Sequence, residues 1–547
     1  MLQVPSPGTP LIFSFSLART TAPPAQPLLR DRPQKSSCRC CSGGAAPLAS
    51  AAVRRDADEG QSQGEDVLHS VSKMPPSGPL NSKDGLDYQP HSNGKLKVVI
   101  VGGGLVGSCN AIHFAKRGDD VTVYEARPDP RKQMEVRGRS INLALSDRGL
   151  AALRNVGLED TILKKSVPME GRMIHSKMGV RTPLLYGTKG QCIYSVSRRF
   201  LNEALLNAAE ESSNTKVFFR HKLLHGDLEE GKLTLLNMDQ NQEFRVETDL
   251  IIGCDGAYSA VRRQMMKRSR FNFSQTYIEH GYLELCMPPV YKKDGTAEFA
   301  MEPNYLHIWP RDNFMLIALP NQDRSWTVTL FMSFQMFQPL HNEKALLAFF
   351  SEHFQDALEL IGAERLCKDF FRVPAQPLVS VKCNPYHTKC SIIMGDAAHA
   401  MVPFYGQGMN AGLEDCLIFH ELMRQHSSNL QLVLKEFSRV RQPDAEAICE
   451  LALYNYIEMR YLVNSKMFRI RKFMDRILYS FVPSFWVPLY TMVTFTRTPY
   501  RECIENKQWQ DRVLHRTVVT TLITASISGI LSLFGFGWVR AACDVLP

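Results

Sequence analysis

A run of apolar, mostly β-branched residues, Lys97-Val98-Val99-Ile100-Val101, stops at three consecutive glycines, Gly102-Gly103-Gly104. Such a run predicts a strand buried on both faces, as in a parallel sheet. Residues 105–117 then predict a helix, and Asp120-Val121-Thr122-Val123-Tyr124-Glu125 a second strand, so about thirty residues read as one β-α-β unit. From Gly281 to Met332 the pattern changes to alternating segments, 305–309, 314–319 and 326–332, separated by turns, which predicts an antiparallel sheet forming a second lobe. Beyond about Gln407 the spacing of Leu413, Leu417, Leu422 and Met423 is helical again.

Two later stretches, 477–496 and 517–539, carry no charge and approach the length needed to cross a bilayer. Pro483 and Pro488 interrupt the first, which suits a kinked internal element or core helical hairpin. The second, between Arg516 and Arg540, reads as a tail anchor, and the basic segment 460–476 before it suits anionic headgroups.

Composition narrows this picture. The 547 residues allow roughly two to four domains. With 44% hydrophobic and 22% charged residues, the chain is neither collagen-like, wholly disordered nor a polytopic membrane protein. A net charge of +9 is too mild for the footprint of a nucleic-acid binder. Residues 1–94 hold twelve of the 31 prolines and no tryptophan, which predicts a disordered leader. The basic bias of its first 55 residues fits a transit peptide, and the leader fits equally an alternative start ahead of a protein beginning near Lys95. Of fourteen cysteines only Cys38, Cys40 and Cys41 lie close together, so the pattern indicates a reduced compartment and no metal site.

The glycines carry the first chemistry. Gly102-x-Gly104-x-x-Gly107 joins strand to helix, with Glu125 ending the next strand, the pattern of a dinucleotide site. Gly102 permits the tight turn, Gly104 the approach of a pyrophosphate, and Gly107 close helix packing, while the helix N-terminus offers free N–H groups. Two further strands end in acids: 249–254 delivers Asp255-Gly256-Ala257-Tyr258-Ser259, and 391–394 delivers Gly395-Asp396-Ala397-Ala398-His399. Two such acids reaching one nucleotide site fit a cofactor with a ribityl chain, FAD, better than NAD. No second GxGxxG and no close cysteine pair follows, against a disulfide reductase with two dinucleotide domains. His399 reads as a packed or hydrogen-bonding residue, and His307 and Trp309 as sheet residues.

This order of motifs resembles the FAD-dependent aromatic hydroxylases, the single-component flavoprotein monooxygenases, over about 95–496. The strings Arg137-Gly138-Arg139-Ser140-Ile141-Asn142-Leu143-Ala144-Leu145-Ser146, Tyr186-Gly187-Thr188-Lys189, Met301 to Pro310 and Tyr454 to Arg460 resemble the members acting on L-kynurenine. The resemblance implies an α/β fold: a Rossmann-like FAD-binding domain in two parts, 95–280 and 381–425, and an inserted antiparallel-sheet substrate domain, 281–380. It further implies C-terminal helices at 426–496 and a membrane-anchoring tail at 497–547. It places FAD contacts on Val106, Tyr124, Glu125, Ala126, Arg127, Ala144, Arg198, Leu223, Ala260, Asp396, Met409 and Asn410, beside Gly102, Gly104, Gly107 and Asp255. It places the substrate on Arg172, Tyr186, Asn455 and Tyr490, the guanidinium and phenol suiting an amino-acid carboxylate. It implies NADPH as transient reductant and molecular oxygen as co-substrate, with a flavin hydroperoxide that would hydroxylate the ring to 3-hydroxy-L-kynurenine and no side chain acting as catalyst. The turn 406–410 would aim N–H groups at the anionic reduced flavin. The implied location is the mitochondrial outer membrane, body toward the cytosol. The alternatives are a flavin hydroxylase of another aromatic substrate and a membrane-tethered flavoprotein scaffold.

Overall fold

The computed structural model describes residues 94–133, 142–187, 190–268, 270–427 and 429–543, with side chains to 529 except at 464. The leader 1–93, residues 134–141, which include Arg137 to Ile141 of the Arg-Gly-Arg-Ser string, and Thr188 and Lys189 lie outside the described residues. The described residues belong to one unit, Leu80–Pro547.

The predicted β-α-β unit is present. Strand Lys97–Val101 is buried after its first residue, helix Leu105–Lys116 follows, and strand Asp120–Glu125 pairs in parallel with the first. Around them builds a five-stranded parallel sheet in the order Ser391–Ile393, Leu250–Gly253, Lys97–Val101, Asp120–Glu125, Thr215–Phe219. All three motif strands therefore end at one edge, the place where an open α/β sheet binds ligands. Val98, Ile100, Val121, Val123, Ile251 and Ile392 fill its core against helices Leu105–Lys116 and Gly408–Gln425. A three-stranded meander, His221–Asp227, Lys232–Asn237 and Gln242–Glu247, completes this part.

The second lobe is a seven-stranded sheet in the order Gln376–Asn384, Asn272–Met287, Trp326–Ser333, Phe314–Pro320, Tyr305–Arg311, Gly171–His175, Arg181–Leu185. It differs from the expected 281–380 at both ends. It starts at Asn272, and it recruits Gly171–His175, which pairs in parallel with Tyr305–Arg311, and Arg181–Leu185 from the earlier segment. One face packs on helices Glu343–His353, Gln355–Ile361 and Ala363–Arg372 through Trp309, Trp326, Phe350 and Phe354. The other, with Ile308, Leu319 and Phe331, meets Phe404 and the long helix Leu430–Arg460.

The stretch 477–496 is no helical hairpin. Helix Lys466–Phe481 ends before Pro483, and a short helix, Leu489–Phe495, starts after Pro488 and buries Met492 and Val493. Residues 517–539 lie on a 44-residue helix, Tyr500–Cys543, the side chains beyond 529 being outside the described ones. Among the described residues no helix is long and apolar enough to cross a membrane.

Candidate functional site

Sterics dictate the glycine loop. Gly102 has φ +106°, and a Cβ there would sit 2.5 Å from the Cys254 carbonyl oxygen. At Gly107 a Cβ would meet the Gly102 oxygen at 1.9 Å, whereas at Gly104 it would find nothing within 4 Å. Gly104 also precedes a helix whose first turn has no side-chain cap, leaving its N–H groups free. The space and the free donors fit a pyrophosphate.

Glu125 is buried and its oxygens are engaged. Oε2 accepts from the Gly103 N–H at 2.8 Å, and Oε1 from the Arg127 N–H at 2.8 Å and Nε at 2.9 Å. Burial pushes its carboxyl up, but the Arg127 bonds outweigh this and hold it below the usual range. The Arg127 side chain is 71% exposed, so it can swing aside and free the carboxylate for a ribose hydroxyl. Ala126 is exposed beside it, while the Tyr124 ring turns away to stack on Phe218 at 5.5 Å.

The other motif strands converge on the same edge. Asp255 Oδ2 accepts from the N–H groups of Ala260 and Val261 at 2.6 and 3.2 Å, capping helix Ala260–Met265, while its buried Oδ1 has no partner. Burial raises this carboxyl, and a cofactor hydroxyl is the donor it lacks. Val106 touches both Gly395 and Gly412, where a Cβ would come within 2.9 and 2.7 Å of it. Asn410 is fully buried and fixes the neighbouring loop: it accepts from the Ser146 N–H and donates to the carbonyls of Ala144 and Gly406. Its side chain is thus spent within the protein, leaving its backbone and half-buried Met409 for a ligand. Asp396 is exposed at the edge, Leu223 is buried in the meander, and Arg198 is exposed at the start of helix Arg198–Glu210.

Sequence reasoning missed the scaffold behind this edge. Asp415, fully buried, accepts from the Gly395 N–H at 2.8 Å and contacts His399 Nε2 and Arg441 Nε, each at 2.6 Å. Burial works against its charge, but His399 and Arg441 prevail and hold it low. Arg441 also binds Glu414 and Asp444, and Glu414 binds buried Arg148. His399, read as a packed or hydrogen-bonding residue, is a buried hydrogen-bonding partner in this network.

Of the four expected substrate residues, Arg172, Tyr186 and Tyr490 contact one another, and Asn455 joins Tyr490 in lining one cavity. Arg172, at the start of strand Gly171–His175, lies over the Tyr490 ring at 4.6 Å. Tyr186 and Tyr490 stack at 5.0 Å, and Tyr405 stacks on Tyr490 at 5.6 Å. Arg172 Nε and the Tyr186 hydroxyl are buried without partners. Asn455 Nδ2 donates to the Phe404 carbonyl at 2.7 Å. Glu458, which sequence reasoning passed over, lies 3.4 Å from both Arg172 and Lys472. It follows Asn455 by three residues on helix Leu430–Arg460, and that spacing puts both on one face. Burial raises its carboxyl, but Lys472 and Arg172 outweigh it and keep it ionised. Asn455, Glu458 and Tyr490 line a cavity of about 60 Å³. Arg172 and Tyr186 do not line that cavity but adjoin it through the Tyr490 ring, and their two unfilled donors suit a carboxylate.

Comparison with known proteins agrees with this geometry. A model of the FAD binding domain matches residues 95–450. Kynurenine 3-monooxygenase of Anopheles gambiae is 53% identical over 454 residues, 83% of this chain and 91% of that protein. The Sus scrofa enzyme of that name is 51% identical, covering 80% and 92%, and that of Caenorhabditis elegans 46%, covering 80% and 98%. The fold is shared with 2-methyl-3-hydroxypyridine-5-carboxylic acid oxygenase at TM-score 0.55 and 20% identity, over 67% of this chain and 93% of that one. It is also shared with Pseudomonas aeruginosa PqsL at TM-score 0.54 and 15% identity, over 67% and 97%. The chain belongs to the kynurenine 3-monooxygenase family of FAD-binding hydroxylases.

Proposed function

We propose that the protein is an FAD- and NADPH-dependent monooxygenase that converts L-kynurenine to 3-hydroxy-L-kynurenine. The observation that carries this reading is the buried, donor-bearing cluster of Arg172, Tyr186, Asn455 and Tyr490 in a chain this similar to curated kynurenine 3-monooxygenases. FAD, reduced by NADPH, supplies the oxygen activation when bound. Gly102, Gly104 and Gly107, the helix Leu105–Lys116 N-terminus, Glu125 and Asp255 would hold it.

The remaining work belongs to this chain. Arg172 takes the substrate carboxylate in exchange for the long Glu458 contact, Tyr186 donates to it, and stacked Tyr490 closes the pocket against water. The start of helix Gly408–Gln425 has no side-chain cap, and its N–H groups would favour the anionic reduced flavin when it is bound. NADPH consumption by the full-length protein should rise sharply on adding L-kynurenine, with 3-hydroxykynurenine found by chromatography. An unchanged rate overturns the reading.

The same reading includes attachment to the mitochondrial outer membrane by the C-terminal segment, with the catalytic body in the cytosol. Its support is the uncharged stretch 517–539, which exposes Val518, Leu522, Ile523 and Ile527. Helix Lys466–Phe481 adds exposed Met467, Ile470, Phe473 and Phe481 beside Lys466, Arg469 and Arg476. Deleting the chain after Arg516 should release most of the protein from outer-membrane vesicles in flotation, and full retention would remove the tail from this role.

A further inference from the structure

A histidine pair lies on the helix-covered face of the seven-stranded sheet, away from the substrate cavity. Side chains alternate along strand Gly171–His175, so His175 points to that face and Arg172 to the other. His307 Nε2 lies 2.8 Å from the Glu302 carbonyl oxygen. His307 Nδ1 lies 2.8 Å from His175 Nε2, and His175 Nδ1 lies 2.8 Å from Asp356 Oδ2. Both histidines are fully buried. Trp309 Nε1 donates to both Asp356 oxygens at 2.9 and 3.0 Å, and its ring stacks on His175 at 4.0 Å.

The protons in this row can be counted. A carbonyl only accepts, so His307 Nε2 carries a hydrogen. The two other contacts each need one more, wherever it is drawn. Asp356, His175 and His307 therefore share three protons, whereas two neutral imidazoles and a carboxylate supply two. The Trp309 donor favours Asp356 as carboxylate, and burial pushes His307 down to about 4, leaving it neutral. The extra proton falls on His175, where the stacked indole also favours a cation.

We infer that His175 is a buried imidazolium clamped between Asp356 and His307, and that it is a positioning residue for Arg172. Strands Gly171–His175 and Tyr305–Arg311 pair with Arg172 opposite Leu306 and Met173 opposite His307. The His175–His307 bond thus ties the strands diagonally, and a one-residue slip breaks it. Arg311 adds a bond to the His175 carbonyl at 3.0 Å. The other charged groups around the pair are Arg181 with Glu302 on the neighbouring strand, and His353, Glu352 and Lys177 at the end of helix Glu343–His353. Asp356, on helix Gln355–Ile361, is the carboxylate that reaches the ring.

The positioning role rests on Arg172 holding the substrate carboxylate; the proton count does not. The test uses the full-length holoenzyme with nitrogen-15 in its histidines. At about pH 8, where an ordinary imidazole is neutral, one histidine should show both ring nitrogens protonated, and the signal should vanish in Asp356→Asn and in His175→Gln. Wild-type protein lacking any such signal overturns the clamp whether or not the variants fold. Asp356→Asn should raise KM for L-kynurenine about fivefold with kcat held within about twofold, and Asp356→Glu should restore it. A variant that loses the imidazolium signal but keeps its KM overturns the positioning role. That outcome leaves the proposed activity standing, because wild-type turnover tests it separately.

Discussion

Arg172→Gln removes a cation from a nearly dry pocket. The residue is 7% exposed, its guanidinium lies 4.6 Å from the Tyr490 ring centre, and its one ion pair, to Glu458, is long at 3.4 Å. A guanidinium and a carboxylate meet through charge-assisted hydrogen bonds worth about 1.5–3 kcal/mol each. Two such bonds, less about 1 kcal/mol for the weak Glu458 contact surrendered on binding, leave about 2–5 kcal/mol in the substrate complex. Glu458 keeps Lys472 at 3.4 Å, so the substitution does not strand a buried charge. The dissociation constant for L-kynurenine should therefore weaken by about thirtyfold to a few thousandfold. Flavin fluorescence titration measures it, alongside the same titration with the decarboxylated amine. Wild-type protein should prefer the amino acid by at least that factor, and the variant should keep only the smaller preference that the Tyr186 hydroxyl supplies. If the variant discriminates against the decarboxylated amine as strongly as wild type does, the carboxylate sits elsewhere and the assignment of Arg172 is wrong.

Two glycines of one loop should respond differently. Gly107→Ala places a Cβ 1.9 Å from the Gly102 carbonyl oxygen, backbone that cannot yield, so the purified variant should be colourless and melt earlier. Gly104→Ala meets no protein atom within 4 Å, so its apoprotein should melt like wild type while binding FAD more weakly; equal FAD retention by all three proteins would refute the pyrophosphate placement. Burial raises the Glu284 carboxyl from the usual 4.5 to about 7. Its folded value lies above its unfolded one, so its contribution to stability is whole below about pH 4.5 and is lost as pH climbs through 7. Glu284→Gln should then stabilise the protein at about pH 8 by up to about 3 kcal/mol and converge with wild type in acid, as read by melting curves.

The nucleotide half was legible because each signal is local. An apolar run stopped by glycines, or a strand delivering Asp255 or Gly395-Asp396, needs no partner to be recognised. Arg172 carried no such mark, since arginines usually sit on the surface, and only family resemblance singled it out. Asp415 and Glu414 lay in plain view as adjacent acids between Leu413 and Leu417 on an otherwise buried helix face, a pattern that foretells buried ion pairs. Strands Gly171–His175 and Arg181–Leu185 were hidden because they are five residues each and join a sheet whose other members come far later in the chain. The two prolines of 477–496 marked the break between helices correctly, and of the two readings offered the kinked internal element is the one present, its second half packing Tyr490, Met492 and Val493 against the pocket wall.

The two large sheets are threaded through each other, and this governs the order in which a growing chain can fold. The nucleotide sheet opens with Lys97–Val101 but lacks its edge strand until Ser391–Ile393 has been made, and the second sheet waits likewise for Gln376–Asn384. The edge of Leu250–Gly253 stays open until Ser391–Ile393 is made about 140 residues later, and that of Asn272–Met287 until Gln376–Asn384 about 90 residues later, a topology that favours slow folding and dependence on chaperones.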